Sequence, residues 1–121
     1  MHELEFYVTV GRCAGIPRGV HYYDPRGHSL ILVNGDEQSV RDMLGDARIA
    51  ADTAESPPVL ITLTARFRRL SWKYSGLSYA LALKHVGVVQ QTLYLVATAM
   101  GLAPCALGSG DSDLVARACG L

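Results

Sequence analysis

From Leu4 to Val10 large and polar side chains alternate, with Phe6, Val8 and Val10 on one side, and this period of two predicts a strand. A loop around Pro17 follows over residues 15–19. Two β-rich runs, residues 20–23 and 29–33, then flank Asp24-Pro25-Arg26-Gly27. Pro25 presets φ for the second turn position and Asp24 can cap the turn, so a hairpin is predicted. Asn34-Gly35-Asp36 is read as the cap of a short helix to Leu44, with Val40, Met43 and Leu44 as its inner face. The alanines of residues 45–56 suggest another short helix or an ordered loop. Pro57-Pro58 closes that stretch and opens a run from Val59 to Phe67, β-branched and then alternating, that predicts a central or near-central strand.

Residues 76–100 form the longest apolar segment, with only Lys84 and His85 charged or titratable and no proline. Gly101 stands where a C-cap glycine belongs, so one long helix is predicted, apolar nearly all round. Gln90, Gln91, Thr92, Gly101 and Pro104 interrupt the apolar run and no basic flank marks an inside face, which argues against a membrane span. The expected alternative is a central helix covered by its own sheet and by a second subunit, hence a dimer. Residues 103–107 read as a last short strand. Gly108-Ser109-Gly110 is a turn, and Asp111 or Ser112 caps a final helix to Ala118. The pattern predicts an α+β fold over residues 1–121 as a single domain.

Composition adds limits. Half of the 121 residues are apolar and 18% are charged, which excludes a disordered chain. Eleven basic and eleven acidic residues cancel, so bulk charge gives no reason to expect nucleic-acid binding. The cancellation hides an asymmetry. Residues 1–55 carry nine acids against five bases, whereas residues 56–110 hold no acid but Arg66, Arg68, Arg69, Lys73 and Lys84. This cationic middle faces either an external anion, such as a phosphate or an acidic peptide, or the acidic segment of its own fold or of a partner. Cys13, Cys105 and Cys119 form no CxxC pair, and reduced thiols in the cytoplasm are the expectation. His2, His21, His28 and His85 lack metal-ligand spacing, so no metal site is expected. His21 and His28 are expected to face each other across the hairpin, and His85 is expected to be a satisfied core histidine.

No GxSxG elbow, phosphate-binding GxxxxGK[ST], HExxH or GxGxxG is present. Two places retain chemical interest. Trp72-Lys73-Tyr74 offers an ammonium and a phenol, either as a base, acid or clamp or as a surface lysine beside anchoring aromatics. Cys105 to Gly110 is rich in small residues, and is either a backbone surface for a flat ligand or a structural turn.

Several short pieces follow one another in order along the chain. They are Leu4-Glu5-Phe6-Tyr7-Val8; Gly19-Val20-His21-Tyr22-Tyr23-Asp24-Pro25 with His28 and Leu30; and Pro58-Val59-Leu60-Ile61. Lys73-Tyr74, His85-Val86-Gly87, Gln91, Leu93 to Ala97 and Gly101-Leu102-Ala103-Pro104-Cys105 complete the set. Together they resemble the flavin-dependent nitroreductase superfamily, and more narrowly its azoline dehydrogenases, which turn thiazolines and oxazolines in peptides into thiazoles and oxazoles.

The resemblance implies an antiparallel-rich sheet packed on a long central helix, FMN at a homodimer interface, and a peptide substrate. It implies that Lys73 and Tyr74 are the catalytic pair. It further implies that Ala106, Leu107, Gly108, Ser109 and Gly110 present their backbone to the flavin ring. Family members carry phosphate ligands in segments before the strand matching Leu4 and after the last helix, so the chain matches a partial domain. A second subunit supplying the missing ligands is one expectation, with Arg66, Arg68 and Arg69 as partial substitutes. A cofactor-free subunit with a structural or interaction role in a biosynthetic complex is the other.

Overall fold

A computed structural model describes residues 3–121. The elements are β1 (Leu4–Val10), β2 (Gly19–Asp24), β3 (Ser29–Asn34), α1 (Glu37–Ala51), β4 (Val59–Ala65), α2 (Arg68–Tyr74), α3 (Ser78–Ala99) and α4 (Ser112–Cys119). The four strands form one sheet in the order β3-β2-β1-β4. β1 pairs antiparallel with β2, and β2 with β3. β4 also runs against β1. Gly11 and Arg12 donate their N–H groups to the Pro58 carbonyl at one end, and Arg66 donates to the Glu3 carbonyl at the other. The architecture is α+β.

The chain divides into two compact units, one of residues up to Glu5 with Leu63–Ala106, the other of Phe6–Thr62 with Leu107–Leu121. The second unit holds a core of Tyr7, Val20, Val40, Met43, Leu44, Ala118 and Cys119. Val40, Met43, Leu44 and Ala47 recur at helical spacing, which gives α1 one apolar face for this core. Burial pushes the Cys119 thiol up to about 11, leaving it an inert apolar side chain at neutral pH.

The hairpin forms as its turn chemistry dictates. The Arg26 and Gly27 N–H groups donate to the Asp24 carboxylate at 3.0 and 3.3 Å. The two histidines do not face each other. His21 lies opposite Leu32, whereas His28 adopts a left-handed φ of +46° and its Nδ1 hydrogen-bonds the Tyr23 hydroxyl at 2.8 Å.

α1 starts at the predicted cap, where Asp36 accepts from the Ser39 N–H at 2.9 Å. It does not stop at Leu44. Gly45 lies within the helix, and the end comes only where Asp52 takes a left-handed φ of +53°. A glycine weakens a helix interior without ending it when the flanking face is packed, as Met43, Leu44 and Ala47 are here.

The strand expected over residues 103–107 is absent. Pro104 has no N–H to offer a ladder, and Ala106 donates its own to the Tyr94 hydroxyl at 2.7 Å. α3 occupies most of the predicted helix. Within the chain only its Ala82 is buried, while Tyr79, Leu83, Val88, Leu95 and Val96 are exposed. Among the described residues no helix is long and apolar enough to cross a membrane.

Candidate active site

Lys73 and Tyr74 close α2, a seven-residue helix that the sequence pattern left between strand and long helix. Strand β4 ends at Ala65, so Phe67 belongs to the helix cap and not to the strand as expected. α2 buries only Leu70. Arg68, Trp72, Lys73 and Tyr74 are exposed. Trp72 is 80% exposed and Tyr74 40%. The Lys73 ammonium lies 5.4 Å from the centre of the Tyr74 ring, a cation–π approach that keeps the two functional groups together. Phe67 stacks on Tyr79 at 5.9 Å between ring centres and fixes the start of the helix against α3.

Ala106, Leu107, Gly108, Ser109 and Gly110 form an extended, largely exposed turn. Ala106 is held by Tyr94, as described. At the far end Asp111 donates its N–H to Asp46 Oδ2 at 3.0 Å and caps α4 by accepting from the N–H groups of Asp113 and Leu114. A Cβ built on Gly108 would meet no atom within 4 Å. The backbone there is bare and faces open space, which suits close approach by a flat ring. Lys73, Tyr74 and Ala106 belong to the first unit and Leu107 to Gly110 to the second.

The cationic middle is partly answered from within the fold. Arg66 Nε lies 2.8 Å and an Arg69 terminal nitrogen 3.7 Å from the same oxygen of Glu5, whose side chain is almost fully buried. The two arginines are therefore engaged by a carboxylate of the same chain. Nothing comparable binds Arg68, Lys73 or Lys84 among the described residues.

Glu3, two residues before Glu5 on β1, is paired with His85 on α3, a quarter-exposed histidine. His85 is thus satisfied, as expected, but by an acid. These two acids were not singled out in the sequence. Their spacing of two, at the head of a strand, was the available signal, since it places both on one face.

Burial pushes the Glu3 carboxyl up, but hydrogen bonds from His85 and from its own backbone N–H, with the His85 charge, outweigh it and the net displacement is downward. A lowered folded-state value gives stability that is complete above the ordinary carboxylate value of 4.5 and lost as pH falls through the folded value. Thermal melts between pH 7 and pH 3 should therefore show a fall in midpoint that is shallower in Glu3→Gln than in the wild type. Equal slopes would remove Glu3 from the acid response.

Elsewhere in the second unit, Gly11, Arg12, Arg18, Arg41 and Pro58 line an open cleft of about 420 Å³. Arg18 is engaged there by Glu37 at 2.7 Å. None of the predicted site residues lies in it. No three metal-ligating side chains cluster among the described residues.

Comparison with known proteins bears on this arrangement. The model of the family described as Nitroreductase matches residues 1–121. A protein of Methanocaldococcus jannaschii named as a putative nitroreductase is 29% identical over 108 residues. The match covers 89% of this chain and 54% of that protein, so the chain spans about half the length of the relative.

Proposed function

The chain belongs to the nitroreductase family, and from that premise we propose that it is an FMN-dependent oxidoreductase acting on the azoline rings of a peptide, in the manner of the azoline dehydrogenases. The observation that carries this reading is the Lys73–Tyr74 pair, exposed side by side on α2 with the ammonium over the ring. Members of the family usually use a flavin, and the bare Gly108 backbone supports the turn Ala106 to Gly110 as the surface for its ring. Bound FMN would supply the two-electron acceptor for a hydride leaving the azoline.

The chain's own residues account for the remaining hydrogen. Aromatising the ring removes one hydrogen as that hydride and one as a proton, and the proton passes to Lys73 Nζ as its neutral amine or to the Tyr74 oxygen as its phenolate. The other of the two holds the ring by a hydrogen bond. Their exposure leaves room for a peptide.

The same proposal makes the protein a homodimer with α3 at its centre. The exposed apolar side chains of α3 support this, and so does the neutral overall charge. A second subunit would add phosphate ligands, since Arg66 and Arg69 are occupied by Glu5. That occupation also favours a second reading, a cofactor-free subunit with a structural or interaction role in a biosynthetic complex. Three free cysteines fit a reducing, cytoplasmic setting.

Titration of the purified chain with FMN, followed by flavin fluorescence, separates the two readings. Saturable quenching at micromolar FMN supports the oxidoreductase. No quenching at FMN in excess, with any copurifying partner present, supports the cofactor-free subunit.

A further inference from the structure

The geometry points to Glu5 as the residue that positions the Lys73–Tyr74 pair, by anchoring the helix that carries it. This inference rests on the reading of that pair as catalytic. The physical problem lies in α2 itself. Seven residues make fewer than two turns, too few to be stable alone. Phe67 occupies the cap position in helical conformation and provides no side-chain cap. Arg68 and Arg69 stand in the first turn, with Arg66 just before, where the helix dipole repels cations. Only Leu70 contributes buried apolar surface. Against these stand only the stacking of Phe67 on Tyr79, the burial of Leu70, and the cation of Lys73 in the last turn.

Glu5 reverses the electrostatic disadvantage. The residue is 6% exposed, and its carboxylate contacts both Arg69 in the first turn of α2 and Arg66 two residues before that turn. A negative charge at that end is what the dipole favours, and it compensates two of the three arginines. The backbone bond from Arg66 to Glu3 brings the helix entrance to the same strand. Arg69 and Lys73 are four residues apart on one helix face, so whatever fixes Arg69 fixes the base of Lys73. Lys73 in turn carries its ammonium over Tyr74. The chain of contact runs from strand to arginine to helix to pair. Glu5 touches neither substrate nor cofactor and is a positioning residue.

Trp72, the chain's single tryptophan, lies on α2 beside Lys73 and reports on the helix without any substrate. Glu5→Gln keeps the side-chain shape and removes the charge. In this variant Trp72 fluorescence anisotropy should fall, and tryptic cleavage after Arg68, Arg69 and Lys73 should quicken about tenfold, as expected of a locally opened segment. Far-UV circular dichroism should stay near that of the wild type. Turnover of a thiazoline-containing peptide with FMN should drop in kcat with KM little changed, and Glu5→Asp should restore part of it.

Should Glu5→Gln fail to fold, Arg66→Gln combined with Arg69→Gln breaks the same contacts from the exposed side and should give the same fall in anisotropy and the same faster cleavage after Arg68 and Lys73. Unchanged anisotropy and cleavage in the folded variant would overturn the inference, as would undiminished turnover in a variant whose helix is loosened. Because the Trp72 readout needs no substrate, a wild type without turnover contradicts the catalytic reading and leaves anisotropy and cleavage to decide whether Glu5 anchors α2.

Discussion

Lys73→Ala should slow azoline oxidation at least about a hundredfold, equivalent to about 2.7 kcal/mol of barrier, the scale of a positioned acid or base. Tyr74→Phe should do the same, because it removes the hydroxyl and leaves the ring that Lys73 leans on. Both side chains project from α2 and neither is buried, so the substitutions leave the core intact and fold stability should change by less than about 0.5 kcal/mol. FMN content and oligomeric state should be unchanged. Lys84→Ala is the control. Lys84 comes from the same acid-free stretch but lies on α3, and its loss should alter the rate little. Equal damage from Lys84→Ala would mean that general positive charge, and not the pair, sustains the reaction.

Gly108→Val should abolish retention of FMN without unfolding the chain. A Cβ at this position meets nothing within 4 Å, and the backbone has no left-handed φ to demand glycine. A loss of FMN without a fall in the thermal midpoint therefore points to a ligand at this backbone. A valine standing between backbone and ring would weaken binding at least about a hundredfold, or 2.7 kcal/mol. Dialysis followed by flavin absorbance checks it against the wild type, with the thermal midpoint as the control for folding. A variant that holds FMN as tightly as the wild type would show that the turn is only a connection between α3 and α4.

Elements whose cause is local were legible in the sequence. Asp24-Pro25 marked the hairpin, Asp36 and Asp111 marked two helix starts, and the long proline-free, mostly apolar run marked α3. What escaped had distant causes. Gly45 reads as a stop until Met43 and Leu44 before it are seen packed in the core and Ala47 after it is seen buried, and that burial carries α1 onward. Residues 103–107 look β-like, but their fate depends on Tyr94, which captures the Ala106 N–H. α2 has no local signal, because its anchor is a carboxylate on the first strand.

The candidate site divides along the same line. Lys73-Tyr74 was visible as a motif, and the structure adds that both are exposed on one short helix. The acid-free middle was visible as a charge asymmetry with two explanations. For Arg66 and Arg69 the acidic partner is internal, whereas Arg68, Lys73 and Lys84 remain on offer to an external anion. A period-two pair of acids, Glu3 and Glu5, against a block of cations is the pattern that would have revealed the internal partner.

The central claim is that this chain, with FMN, oxidises a peptide azoline through Lys73 and Tyr74. It is tested most directly by incubating the wild type and Lys73→Ala with FMN and a peptide containing one thiazoline, under air, and following the peptide by mass spectrometry. The wild type should convert the peptide to a species lighter by two hydrogens, with the ultraviolet absorbance of a thiazole, and Lys73→Ala should not within the same time. An unchanged peptide mass with FMN-loaded wild type, or equal conversion by the two proteins, would contradict the account.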